Sequence, residues 1–185
     1  MQVKFIVTVL TLCGFAQIQA DFAEDCLKKH NEYRKKHSAP DLTLDQELSN
    51  GAESYAKELA EKDVFEHSKA PGLGENLYLT IGGDPNDCVK AWYDEISLYD
   101  FKKPGFAMNT GHFTQVVWKS TTKLGMGKAN GKDRKVYVVG RYQPAGNTMG
   151  KFEQNVLKSN NGVTHSVSYG FIALAAAWLR IEFIV

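Results

Sequence analysis

The sequence predicts an α+β domain, a mixed sheet with helices on both faces, and three observations predict it. Apolar residues recur at spacings of three and four in several segments, and short runs bounded by Gly, Asp or Asn read as strands. The order of elements is helices, strand, helix, loop, hairpin, whereas a doubly wound parallel sheet would alternate strand and helix throughout.

The first helix covers roughly Phe22 to His37 and ends before Pro40. In the second, Leu44, Leu48, Ala52, Tyr55 and Leu59 share one face while Glu53, Lys57, Glu58 and Glu61 share the other, and Asp45 stands where an N-cap is needed. A third helix covers roughly Pro85 to Leu98, since proline suits a first helical turn, where no backbone N–H is required. "NLYLTI" from Asn76, "LGMGKA" from Leu124 and "KVYVVGRY" from Lys135 read as strands. The last two flank "NGKD", a hairpin signal whose Asn-Gly pair favours turns with positive φ.

The 185 residues, 43% of them hydrophobic, give room for one domain with a real core, and a net charge of +1 points to no nucleic-acid partner. Lys4, the apolar run Phe5 to Phe15 and the exit at Ile18-Gln19-Ala20 read as a secretory signal peptide over residues 1–20. The domain follows over 21–158, and a hydrophobic tail over 159–185. Signal removal takes Cys13 away and leaves Cys26 and Cys88, each near the start of a helix and at the head of an apolar stripe, in a chain expected to face an oxidising compartment. A disulfide and two buried thiols both stay open for this pair, because sequence does not supply the geometry a disulfide demands.

The tail "YGFIALAAAWLRIEFIV" is interrupted by Arg180 and Glu182. It reads as a glycolipid-anchor signal with its attachment residue among Ser159, Asn160, Asn161 and Gly162, as a retained span, or as an extension of the domain. The two charges weigh against both membrane readings.

Two histidines and two carboxylates come from four separate elements: His67 in "EHSKAPGLGENL", Glu75 at the strand entry of that stretch, Glu95 on the third helix, and His112 in "GHFTQVVWKST". Imidazoles bind ions such as Zn²⁺, and carboxylates orient imidazoles through the other ring nitrogen or complete the shell. Spacing alone does not join them, since His67 and His112 match no helical ligand pair.

"GHFTQVVWKST" and "VVGRYQPAGNTMG" resemble the two signature motifs of the CAP superfamily, the cysteine-rich secretory, antigen 5 and pathogenesis-related 1 proteins. The similarity runs from "HNEYRKKHSAP" through "GENL" and "WYDEISLYDFKKPGF" to "NVL", and within the family it is nearest the Golgi-associated plant pathogenesis-related type. The resemblance implies a three-layer α-β-α sandwich around a mixed, mainly antiparallel sheet. Carried over residue by residue, the family's cleft tetrad falls on His67, Glu75, Glu95 and His112, and the resemblance implies that the histidine pair binds zinc or another divalent cation. It also implies a sterol- or fatty-acid-binding loop in "YDFKKPGFAMNTG", with Tyr99, Phe101 and Phe106 as the residues concerned. The chain departs from the pattern at Gly140, often a cysteine in relatives, and a signal peptide stands where the Golgi-associated type has a myristoylation sequence.

A binding protein, secreted or surface-tethered, is the reading these features favour. The partners expected are a sterol or fatty acid, a membrane reached through the tail, and a second copy of the chain as a homodimer. The alternative is a metal-dependent hydrolase with Glu75 or Glu95 as general base. A serine hydrolase suits the chain less: a serine proposed as nucleophile in some relatives falls on Ile81, and there is no G-x-S-x-G motif.

Overall fold

The computed structural model describes residues 19 and 21–160, so the expected signal peptide, apart from Gln19, and the apolar tail from residue 161 onward lie outside the described residues. Helix α1 covers residues 21–36. It is followed by β1 (Thr43–Leu44), α2 (Gln46–Lys62), β2 (Gly74–Ile81), α3 (Cys88–Asp94), α4 (Gly111–Val116), β3 (Lys123–Asn130), β4 (Lys135–Gln143) and α5 (Phe152–Asn155). Short 3₁₀ turns at Pro85–Asp87 and Glu95–Leu98 extend α3 at both ends, so the expected third helix is present but tightened at its termini.

The strands lie in the order β1-β3-β4-β2, with β1 parallel to β3 and the other two pairings antiparallel. Strand alternation sends Tyr137 and Val139 to one face and Val138 and Tyr142 to the other. The first face is covered by α2 through Ala52, Tyr55, Ala56, Leu59 and Ala60. The opposite core gathers α1, α3 and α4 through Cys26, Tyr33, Val89, Trp92, Phe113 and Val116. The chain is therefore a three-layer α-β-α sandwich with a mixed sheet in the middle.

Helix α2 sits unusually close to β3 because the strand offers glycines to it. A Cβ on Gly125 would stand 2.3 Å from the backbone of Leu48, and one on Gly127 would stand 2.2 Å from the backbone of Glu53. Asp45 caps α2 as expected, its side chain accepting from Leu48 N–H, and Asp63 closes the helix in the left-handed conformation. Leu44, read from the sequence as the first apolar residue of that helix, instead pairs with Leu124 in β1.

The β3–β4 hairpin also differs from expectation. Its positive-φ residues are Asp133 and Arg134, at 53° and 58°. Gly131 serves space instead, since a Cβ there would meet the Tyr137 ring at 2.8 Å. The Gln143–Pro144 peptide bond is cis.

Arg34 of α1 is fully buried and donates to four carbonyls, those of Pro40, Val116, Trp118 and Thr121. Burial pushes its guanidinium down to about 10, which still leaves it charged at neutral pH. One side chain thus ties α1 to the segment that leaves α4. Close to Arg34 along the chain, Lys36 O accepts from Asn160 N–H and Ser38 Oγ from the Asn160 amide, so the described chain ends against the C-terminus of α1. Among the described residues no helix is long and apolar enough to cross a membrane.

Candidate functional site

His67 lies in the segment between α2 and β2, Glu75 is the second residue of β2, Glu95 follows α3, and His112 is the second residue of α4. The fold brings the four together as two histidine–carboxylate pairs. Glu75 Oε1 accepts from His67 Nδ1 at 2.9 Å and from Ser68 N–H at 2.8 Å, and Oε2 accepts from Ser68 Oγ at 2.6 Å. Glu95 Oε1 accepts from His112 Nδ1 at 2.6 Å, while Oε2 accepts from the backbone N–H groups of His112 and Phe113 at 3.0 and 3.1 Å.

An ionised carboxylate only accepts, so each neutral imidazole carries its proton on Nδ1 and keeps a lone pair on Nε2. That is the tautomer in which a histidine serves as a metal ligand, with its other nitrogen held by an acid. Burial raises the Glu75 carboxyl, but the hydrogen bonds from His67 and Ser68 outweigh it and hold the group below the usual carboxylate range. Arg141 stands behind it, Nε 3.7 Å from Oε2.

Both rings line one open cleft of ≈ 380 Å³. Its floor is fixed by amides. Asn76 donates to His112 O at 3.1 Å and to Tyr142 Oη at 3.2 Å. Asn147, left-handed at φ 54°, donates to Gly111 O and accepts from Thr114 Oγ1. Gln115 fills the space that Gly74 and Gly146 leave free, where Cβ atoms would stand 2.1 and 2.7 Å from its amide.

Among the described residues no three His, Cys, Asp or Glu side chains converge into a metal-holding group. The candidate ligands for an ion are therefore the two imidazoles, each with its acid as support, and any further ligands would come from outside the chain.

The loop aromatics separate. Tyr99 is buried and Phe101 packs against Phe113 and His37, with ring centroids 6.2 and 6.4 Å apart. Phe106 alone turns to the cleft, 51% exposed, its ring lying over Gly111, where a Cβ would meet it at 3.1 Å. Gly111 thus makes room for Phe106. Met108, 89% exposed, continues the apolar rim. Cys26 and Cys88 are two buried thiols with their sulfurs 3.9 Å apart.

Sequence reasoning missed Ser68, Asn76, Gln115, Asn147 and Met108. Adjacency to His67 could have marked Ser68, membership of "GENL" and the two signature motifs could have marked Asn76, Gln115 and Asn147, and Met108 lies within the loop "YDFKKPGFAMNTG".

A three-layer sandwich whose cleft carries two carboxylate-held histidines defines a class of protein, and comparison with known proteins agrees. The pattern of the CAP, or cysteine-rich secretory protein, family matches residues 27–142, and the chain belongs to that family. It is 44% identical over 142 residues to human Golgi-associated plant pathogenesis-related protein 1, covering 74% of this chain and 92% of that one. It is 40% identical over 139 residues to Protein PRY2 of Saccharomyces cerevisiae, covering 74% of this chain but only 41% of that longer protein. Among solved structures it matches NaASP2 with Zn²⁺ at a TM-score of 0.57 and 27% identity, over 74% of this chain and 84% of that one.

Proposed function

We propose that this is a secreted or surface-tethered binding protein whose cleft holds a divalent ion on His67 and His112 and seats a sterol or fatty acid against the apolar rim at Phe106 and Met108. The observation that carries the reading is the commitment of both Nδ1 atoms to carboxylates, which leaves an Nε2 lone pair on each of two rings that line one cleft. Similarity to a structure solved with Zn²⁺ supports the metal, and two Candida albicans relatives named as secreted proteins, 38% and 36% identical, support the compartment. Hydrolysis would need a carboxylate free to take a proton, whereas Glu75 and Glu95 each already accept three hydrogen bonds.

Thermal unfolding with and without zinc tests the ion. Zinc raises the melting temperature of the native protein, and the double variant His67→Ala, His112→Ala loses the shift; a shift that survives in the double variant sinks the site. For the apolar ligand, Phe106→Asp lowers sterol or fatty-acid binding while the zinc shift persists. Phe101 is unsuitable for this purpose because it packs in the core.

A further inference from the structure

Cys26 and Cys88 take no part in the cleft, yet the fold brings them from 62 residues apart to a sulfur–sulfur distance of 3.9 Å. Cys26 lies on α1 and Cys88 is the first residue of α3, and both are buried in the same core. The only other cysteine of the chain is Cys13. Two thiols in mutual contact, with no metal-ligating third group beside them among the described residues, are placed for a covalent bond with each other.

We infer that Cys26 and Cys88 are a disulfide-forming pair that fastens α1 to α3 and, through them, the His112 arm of the cleft. Two paths lead from the pair to that histidine. On one, Cys26 O accepts from His30 Nδ1, His30 Nε2 accepts from Tyr142 Oη, and Asn76 donates both to Tyr142 Oη and to His112 O. On the other, α3 runs from Cys88 into Glu95, whose carboxylate holds the His112 ring and the first N–H groups of α4. A bond between the cysteines ties the starting points of both paths together.

The oxidant is a low-molecular-weight disulfide such as oxidised glutathione. One protein thiolate attacks a sulfur of the donor and expels one glutathione thiolate; the second protein thiolate then attacks the mixed disulfide and expels the other. Two electrons and two protons pass from the protein to the donor. Because both sulfurs are buried in the folded state, exchange takes place while the chain folds, before α1 docks on α3.

The full chain, unfolded and reduced, is refolded in a mixture of reduced and oxidised glutathione, then alkylated under denaturing conditions and mapped by mass spectrometry. The expected product is a peptide pair joined through Cys26 and Cys88, lighter by two hydrogens, with Cys13 alkylated. Alkylation of both Cys26 and Cys88 in most molecules, or cross-links that contain Cys13, overturns the assignment. The oxidised protein should melt ~10 °C above the same protein held in dithiothreitol, the shift expected for closing a loop of this length in a chain of this size. An equal or lower melting temperature overturns the fastening role. The double variant Cys26→Ala, Cys88→Ala should show no dithiothreitol-dependent shift, and a shift that persists there also overturns it.

Discussion

Each cleft histidine is held at Nδ1 by one carboxylate oxygen, but the two acids do different additional work. Glu75 organises the exposed segment around Ser68, whereas the second oxygen of Glu95 satisfies two backbone donors at the start of α4. Glu95→Ala removes both acceptor oxygens, so it disturbs the His112 ring and the helix start together. We expect zinc affinity to fall by ~10- to 100-fold, the usual effect of removing an acid that orients a ligand histidine. Stability should fall by about 1 to 3 kcal/mol, the cost of leaving a partly buried donor unmet. Isothermal titration calorimetry with zinc, alongside urea denaturation, reads both. Unchanged affinity in the variant would mean that His112 does not depend on this acid for its orientation.

At the scale of elements, the position of α2 depends on the absence of side chains on β3. Gly127→Ala would force a methyl group against the backbone of Ala52 and Glu53, atoms that cannot rotate aside. The helix must lift, and overpacking of this kind costs about 1 to 3 kcal/mol or more. Urea denaturation of the variant measures it; a loss below ~0.5 kcal/mol, the range of ordinary surface substitutions, would show that α2 is free to move. Lys128, the next residue on the same strand, is a contrasting control because it already bears a side chain. The glycines of "LGMGKA" are visible in the sequence, but which helix they admit is not, since that depends on the face each one takes in the finished sheet.

For the whole molecule, the buried histidines set a limit on acid stability. Burial pushes His30 down to about 4 from 6.5, and burial also lowers His37, whose Nδ1 donates to Leu157 O and whose Nε2 accepts from Tyr93 Oη. Above pH 6.5 neither the folded nor the unfolded chain binds the His30 proton. Between 6.5 and about 4 only the unfolded chain binds it, so stability falls with pH by ~1.4 kcal/mol per unit, or about 3 kcal/mol over the window. His37 acts in the same direction. Denaturation curves from pH 7.5 to 4.5 should show this decline, and His30→Gln should flatten it; an equal slope in both proteins would exclude His30 as a source. The sequence by itself determined the helices with strong apolar periodicity, the Asp45 cap, the three long strands and, through the family resemblance, the members of the two histidine–carboxylate pairs, because local spacing and motif identity are properties of neighbouring residues. It did not determine the two-residue β1, the short α4 and α5, or the division of "YDFKKPGF" into buried Tyr99 and Phe101 and outward Phe106. Those were decided by the tertiary structure, because a residue's place there depends on which partner from a distant segment, such as Leu124 for Leu44 or Phe113 for Phe101, reaches it first and excludes water.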